Sequence, residues 1–256
     1  LTNLGQINNK GFEISLNTRN ITNDNFRWTT DFNLSANKNE VVALINDADL
    51  FDDASPSYFS HDRTHVLRVG EEVGLFYGYE YAGVYQGGAL PAGTATQPNG
   101  LPGDPLFKDV DESGDITEDD RTTIGNPNAD YTFGITNSFS YKDFDLSIFF
   151  QGSQGGDIFN LTNVQLNNGD ANTTRDYYNN AWTPTNTNTN TPRVGNNSNR
   201  EISSRFVEDG SYIRLKNIAL GYNLPSDITE KLGLQRVRFS VSAQNLLTFT
   251  KYSGLD

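Results

Sequence analysis

One acidic segment of the sequence has the residue types and spacing of a calcium-binding loop. It reads Asp109-Val-Asp-Glu-Ser-Gly-Asp-Ile-Thr-Glu-Asp-Asp120. Ca²⁺ takes about six to eight oxygen ligands, and a twelve-residue loop supplies them from positions 1, 3, 5, 7 and 12, with glycine at position 6. The sequence therefore predicts a structural Ca²⁺ site. Its ligands would be the side chains of Asp109, Asp111, Ser113 and Asp120 and the backbone carbonyl of Asp115.

Two features of this segment bear on how well it would hold the ion. Gly114 stands where the loop needs a sharp turn, and Ile116 stands where an apolar side chain would anchor the loop. Asp120 replaces the usual glutamate at position 12, and its shorter side chain reduces reach and affinity. The alternative interpretation is an acidic turn that is only solvated, and the number of matching positions favours Ca²⁺ over it.

No group of residues in the sequence indicates catalysis. The chain has no cysteine, no Gly-x-Ser-x-Gly elbow, no phosphate-binding loop and no redox motif. With 32 acidic and 19 basic residues and a net charge of −13, pairs of carboxylates occur by chance and do not indicate a glycosidase. The same charge leaves no basic stripe to neutralise phosphates. We therefore expect neither an enzyme nor a nucleic-acid partner.

The elements around the acidic segment are predicted from hydrophobic alternation to be β-strands. Gly11–Thr18 and the segment from Trp28 to Ala36 alternate apolar and polar residues on either side of a turn at Thr22–Asn25. A second hairpin folds at Lys142–Asp143, between the alternating segments 131–141 and 144–151. Tyr212–Leu224 and Val237–Tyr252 form a third pair, joined by one or two helical turns in Pro225–Gly233. The chain is therefore all-β and antiparallel.

The side chains opposite the apolar face are mostly Ser, Thr, Asn, Gly and Gln rather than Lys and Glu. A soluble sandwich charges its outer face, whereas the inside of a wide transmembrane barrel is polar and water-filled. No apolar run is long enough for a transmembrane helix, so a membrane role would depend on strands. The strand lengths suit a bilayer crossing, which takes about 9–11 tilted residues. The pattern predicts part of an antiparallel transmembrane β-barrel.

Short and long connections alternate along the chain. Val42–Asp130 and Gly152–Ser204 are long and polar, and connections of that length are usually functional. Short turns at one end and long loops at the other are typical of an outer-membrane barrel, with the long loops extracellular. Within the second long loop, Tyr177–Trp182 and the tract TPTNTNTNT at Thr183–Thr191 are interpreted equally well as a ligand-contacting loop or as a linker.

Several stretches resemble the C-terminal third of SusC/RagA-type TonB-dependent proteins, in the family's order and over nearly the whole chain. They are NNKGFEISLNTRNI (Asn8–Ile21), FRWTTDFNLSANKNEV (Phe26–Val41), GLFYGYEYAGVYQ (Gly74–Gln86), IGNPNADYTFGITNSFSYKDFDLSIFFQGSQGGDIFN (Ile124–Asn160), SSRFVEDGSYIRLKNIALGYNLP (Ser203–Pro225) and VSAQNLLTFTKYSG (Val241–Gly254).

The resemblance implies part of a 22-stranded outer-membrane barrel that imports glycans or peptides. It further implies a SusD-like surface lipoprotein as partner, contact with outer-membrane lipid, and energy from the TonB system. On this interpretation residues 1–256 are the C-terminal part of the barrel, without the plug domain or the last strand. Residues 109–120 would form a calcium loop within an extracellular loop.

A second hypothesis is a secreted, Ca²⁺-stabilised β-sandwich that binds carbohydrate. The direction of the apolar faces discriminates between the two. In a sandwich the apolar faces meet in a core, whereas in a barrel they point outward.

Overall fold

The computed structural model describes residues 5–52, 63–97, 100–167, 172–195 and 201–255. It contains fifteen strands: β1 (Gly5–Thr22), β2 (Phe26–Leu44), β3 (Leu50–Asp52), β4 (His65–Leu67), β5 (Leu75–Tyr79), β6 (Tyr81–Val84), β7 (Thr94–Ala95), β8 (Pro105–Lys108), β9 (Arg121–Gly125), β10 (Ala129–Tyr141), β11 (Phe144–Gly155), β12 (Asp157–Phe159), β13 (Val207–Asp209), β14 (Tyr212–Asn223) and β15 (Arg238–Thr250). Three short helices accompany them: α1 (Leu161–Leu166), α2 (Arg175–Asn180) and α3 (Ser226–Lys231). Single 3₁₀ turns lie at Ile45–Asp47, Glu118–Asp120 and Ser204–Phe206.

The six longest strands form one antiparallel sheet in the order β1-β2-β10-β11-β14-β15. All three predicted hairpins are confirmed. β1 turns into β2 after Thr22, β10 turns into β11 at Lys142–Asp143, and α3 with Gly233 joins β14 to β15. The first strand is longer than predicted, because its pairing with β2 continues through polar residues at both ends. The three short connections lie at one end of the sheet, where the Lys142 amide donates to the Asn25 carbonyl at 3.0 Å.

One face of this sheet is apolar across all six strands. The pairing registers align its side chains in rows that run from strand to strand. Bulges between Leu215 and Asn217 in β14 and between Gln244 and Leu247 in β15 keep the pattern in phase. One row consists of Trp28, Phe139, Leu146, Leu220 and Val241, and another consists of Leu16, Phe32, Ile135, Phe150, Leu215 and Leu247.

The opposite face is polar and composed mostly of small residues. One of its rows consists of Thr29, Ser138, Ser147, Ala219 and Ser242, and another consists of Asn33, Gly134, Gln151, Arg214 and Thr248. The alternation predicted from the sequence is therefore the alternation of the sheet.

Among the residues that the structure describes, no second layer covers the apolar face. Phe12 is 56% exposed and Phe239 is 61% exposed, although both are large apolar side chains on this face. The described residues form an open sheet with β1 and β15 as its edges, not a closed barrel. An exposed apolar surface of this extent is unfavourable in water and indicates a lipid or protein environment. The β-sandwich hypothesis fails on this point, since its apolar faces would have to meet.

A hydrogen-bonded polar cluster interrupts the apolar face at β1, β2 and β10. The Asn137 side-chain oxygen accepts from the Trp28 indole at 3.0 Å and from the Thr30 hydroxyl at 2.7 Å. The Asn20 amide in turn donates to Thr30 at 2.7 Å and accepts from Thr18 at 2.9 Å. These groups satisfy one another, which lowers the cost of holding them on an apolar surface.

The buried core lies outside the large sheet. Of the described residues, only Val41 and Leu215 are buried apolar side chains on its strands, and the remaining ones lie in the two long connections. We call these connections, residues 45–128 and 156–211, the loop unit. The sequence predicts them only as long polar loops. The structure shows a folded unit with three small sheets: β3-β4-β5-β9, β6-β8-β7 and β12-β13.

Both connections leave the large sheet at the end opposite the short turns, because β2, β10, β11 and β14 are neighbouring antiparallel strands. The layout of short turns at one end and long connections at the other is therefore confirmed. Among the described helices, none has the length and apolar character that a membrane span requires.

Candidate metal-binding loop and its supporting contacts

The acidic segment joins β8 to β9 within the loop unit. It begins directly after Lys108, the last residue of β8, and ends with the 3₁₀ turn Glu118–Asp120, directly before β9. Gly114 has φ +91°, a left-handed conformation that glycine adopts without strain. The sharp turn predicted at position 6 is therefore present.

Three of the five predicted ligands lie together. Carboxylate oxygens of Asp109, Asp111 and Asp120 all lie within 4.8 Å of one another. The Asp109 carboxylate accepts backbone N–H groups from Ser113 at 3.0 Å and Gly114 at 2.8 Å. Asp111 also accepts from the Ser113 amide at 3.0 Å. These bonds fold the loop back on itself and bring its carboxylates to one point.

Asp120 is fully buried and holds the two ends of the loop together. Its Oδ1 accepts from the Val110 amide at 2.8 Å, and its Oδ2 accepts from the Thr117 amide at 2.7 Å. Thr117 returns the contact by capping the 3₁₀ turn through its hydroxyl, so the two residues form a capping box. A buried carboxylate needs such donors, because an unpaired one would be very costly.

The two remaining predicted ligands lie against each other. The Ser113 hydroxyl donates to the backbone carbonyl of Asp115 at 3.0 Å. Ile116 follows directly and is 4% exposed, packed in a cluster with Tyr79, Ala95 and Phe107. The loop is thus anchored by an apolar side chain at the position where the sequence predicts it.

The acidic side chains of this loop repel one another and would attract a cation. Seven of its twelve residues are acidic and none is basic. Hydrogen bonds from Ser113 hold the pKa of the Asp111 carboxyl below its usual range, so this group stays ionised. Clustered carboxylates repel one another, and hard oxygen donors on a tight loop suit Ca²⁺. The donor set therefore fits the predicted ion.

The two long connections are fastened to each other by contacts that the sequence analysis did not anticipate. The Tyr79 amide donates to the Ile202 carbonyl at 2.8 Å, and the Arg193 side chain pairs with Asp104 at 2.5 Å. Each pair joins residues about a hundred positions apart. Because none of these four residues belongs to a local sequence motif, the sequence does not indicate either contact.

Arg205, in the second connection, also contacts the first connection. Its guanidinium lies 5.9 Å from the Tyr81 ring centre, 5.5 Å from Tyr177 and 5.1 Å from Phe206. Burial lowers the pKa of Arg205, while the neighbouring tyrosines oppose that shift. Burial also raises the pKa of Tyr81 to about 12, despite the nearby Arg205. Such stacking suits arginine, whose planar guanidinium is weakly hydrated.

The Thr/Asn tract Thr183–Thr191 is folded, so its interpretation as a linker is wrong. The Trp182 amide donates to the Thr191 carbonyl at 2.8 Å, closing the tract into a compact turn. Its indole N–H donates to the Gln86 side chain in the first connection, also at 2.8 Å. The tract is therefore a folded segment next to the first connection rather than a linker between two units.

Comparison with known proteins identifies relatives over the whole chain, although no family model matches it. TonB-dependent receptor P3 of Formosa agariphila is 53% identical over 100% of this chain and 26% of the receptor. TonB-dependent receptor SusC of Bacteroides thetaiotaomicron is 29% identical over 99% of this chain and 24% of that protein. The chain thus spans about a quarter of the length of these relatives.

Solved structures show the same fold. The RagAB peptide transporter matches with a TM-score of 0.75 and 23% identity, over 98% of this chain and 27% of the matched chain. The RagAB peptide importer in its open-open state matches with a TM-score of 0.76 and 24% identity, over 98% and 26% of the two chains. The position of the segment within the whole protein, and the absence of plug and last strand, stay predictions. By relatives and by fold, the chain belongs to the TonB-dependent receptors of the SusC/RagA type.

Proposed function

We propose that this chain forms part of the wall and the extracellular loops of an outer-membrane transporter that imports glycans or peptides. The large sheet would be one arc of a 22-stranded barrel, with its apolar face toward lipid and its polar face toward the lumen. The rest of the protein would supply the plug and the contact with the TonB system. The segment itself takes part in uptake by shaping the pore and presenting the loop unit, not by catalysis.

The observation that carries this proposal is the pairing of an exposed apolar face with a face of small polar residues. A transmembrane barrel alternates lipid-facing and lumen-facing side chains in this manner. The location of the buried core adds support. The loop unit has a buried core of its own, whereas the apolar face of the sheet is exposed and suits contact with lipid.

A SusD-like lipoprotein is the proposed partner, and the loop unit is its proposed docking region. The proposal follows from the similarity of this chain to the receptor SusC and to the RagAB peptide transporter. A folded loop unit presents a fixed surface, and a preorganised surface costs less entropy on association than a mobile one.

Membrane topology provides the direct test. Because the chain has no cysteine, single cysteines can be introduced at Thr187 in the loop unit and Asp143 in a short turn of the full-length receptor. A membrane-impermeant maleimide added to intact cells should label Thr187→Cys and spare Asp143→Cys. Permeabilised cells should label both, which shows that position 143 is reactive. Labelling of Asp143→Cys on intact cells would reverse the proposed orientation.

We also propose that the acidic loop binds Ca²⁺ and that the ion has a structural role. It would neutralise the carboxylates of Asp109, Asp111 and Asp120 and fix the β8–β9 connection, with the Ser113 hydroxyl and the Asp115 carbonyl as further oxygens. The geometry supports this because three carboxylates already converge and Ile116 already anchors the loop.

Titration of the full-length receptor with Tb³⁺, followed by displacement with Ca²⁺, tests this site. The double variant Asp109→Ala/Asp111→Ala should lose the sensitised luminescence. Asp115→Asn is the matched control and should keep it, because Asp115 would contribute only its backbone carbonyl. Unchanged luminescence in the double variant would remove the Ca²⁺ proposal and leave the transporter proposal intact.

A further inference from the structure

An open cleft of about 620 Å³ separates β6 from the Thr/Asn tract. One wall is Ala82, Gly83, Val84 and Gln86 with Pro91 and Leu106, and the other is Thr187, Asn188, Thr189 and Asn190. Both walls belong to the loop unit, one from each long connection. The two walls are therefore brought together only by the fold.

The tract wall is held in place by two hydrogen bonds to backbone carbonyls. The Thr189 hydroxyl donates to the Asn180 carbonyl at 2.6 Å, and the Tyr81 hydroxyl donates to the Asn190 carbonyl at 2.7 Å. Among the described residues, the side chains of Thr187, Asn188 and Asn190 have no hydrogen-bond partner. A fixed backbone thus presents two amides and one hydroxyl whose donors and acceptors are available to a ligand.

The β6 wall is kept open and also fixed. Gly83 has φ +117° and lacks the side chain that would narrow the gap; a Cβ there would lie 3.9 Å from the Asn190 amide oxygen. Gln86 accepts from the Trp182 indole and donates to the Val84 carbonyl at 3.2 Å, so its side chain is held between the two connections. Apolar atoms of Val84 and Leu106 complete the lining.

None of the described residues that line this cleft is ionisable, although the whole chain carries a net charge of −13. A site for an anionic or cationic ligand would place opposite charges there. Side-chain amides carry donors and acceptors side by side, which matches the paired hydroxyls of a sugar. A peptide that added to a strand edge would need a regular run of backbone, and β6 has four residues with an irregularity between Tyr81 and Gly83.

We infer that this cleft binds an uncharged oligosaccharide, with Asn188 and Asn190 as its hydrogen-bonding residues. The inference rests on the proposed transport function and narrows the imported class from glycans or peptides to neutral glycans. It places recognition of the glycan in the cleft between the two long connections.

The test measures binding of defined probes to the full-length receptor by isothermal titration. The probes are neutral hexasaccharides of glucose, mannose, galactose and xylose, an acidic hexasaccharide of galacturonic acid, and an uncharged octapeptide. At least one neutral hexasaccharide should bind. The double variant Asn188→Ala/Asn190→Ala should weaken that binding tenfold or more.

Two further variants make the result specific to the cleft. Ala82→Trp fills the cleft from the opposite, exposed wall and should weaken binding to a similar extent. Asn172→Ala removes an exposed amide elsewhere in the loop unit and should leave it unchanged. Thermal unfolding of each variant shows whether the loop unit is still folded.

Three outcomes would overturn the inference. The first is that the acidic hexasaccharide or the peptide binds and no neutral hexasaccharide does. The second is that none of the neutral hexasaccharides binds. The third is that a neutral hexasaccharide binds equally well to both cleft variants. None of these outcomes alters the maleimide-labelling result. Failure of the cleft is therefore distinguishable from failure of the transporter proposal.

Discussion

The Ile148→Arg substitution places a charge on the apolar face of β11, and its cost depends on how deep the residue lies in the bilayer. Ile148 stands four residues after Phe144, where β11 begins. A strand rises about 3.3 Å per residue, and a tilt of about 40° reduces this to about 2.5 Å of height. Ile148 therefore lies about 10 Å above the start of the strand, close to the middle of an apolar band about 25 Å tall.

At that depth an arginine costs about 2–4 kcal/mol, which shifts the folding equilibrium roughly 30- to 900-fold. Ser147→Arg is the matched control. Ser147 is the neighbouring residue on the same strand, but it lies on the polar face between Ser138 and Ala219. An arginine there would face water and should cost little.

The measurement is urea-induced unfolding of the full-length receptor refolded into lipid vesicles, followed by tryptophan fluorescence. Ile148→Arg should lower the unfolding free energy by about 2–4 kcal/mol relative to Ser147→Arg. Equal losses in the two variants would mean that both faces meet the same environment. That result would refute the assignment of the apolar face to lipid.

Three further outcomes follow from individual contacts. Asn137→Leu removes the acceptor of the Trp28 indole and should destabilise the receptor by about 1–3 kcal/mol in the same urea assay, while adding Trp28→Phe should restore part of the loss, because the unpaired indole N–H is then absent. Hydrogen bonds from Ser211, together with Lys251, lower the pKa of Asp209 to about 2, so its stabilising effect is present above the unfolded pKa of about 4 and lost as pH falls through about 2; Asp209→Asn should therefore flatten acid unfolding in that window. Arg205→Leu should speed proteolysis of the loop unit several-fold without affecting the sheet, and Arg205→Lys should not rescue it because lysine lacks the planar guanidinium; protease resistance equal to wild type would contradict the role given to Arg205.

Much of the architecture could be read from the sequence because its signals are local. Successive side chains of a strand point to alternate faces, so the sequence alone places Phe32 and Leu34 on the same face. Turns such as Lys142–Asp143 are likewise set by neighbouring residues, and Lys142 has the positive φ of 50° expected of a tight hairpin turn. The acidic loop belongs to the same class, since twelve consecutive residues specify where Asp109, Asp111 and Asp120 converge.

Contacts between distant residues were decided only by the tertiary structure. Asn137 reads as an interruption of an apolar strand, and only the pairing of β10 with β2 gives it the indole of Trp28, 109 residues away. The cleft likewise needs Gly83 and Asn190 to meet across the two long connections. Hydrophobic periodicity records which face a residue occupies but not which strand or loop lies opposite. The folded loop unit and the cleft therefore could not be derived from the sequence, whereas the strands and the acidic loop could.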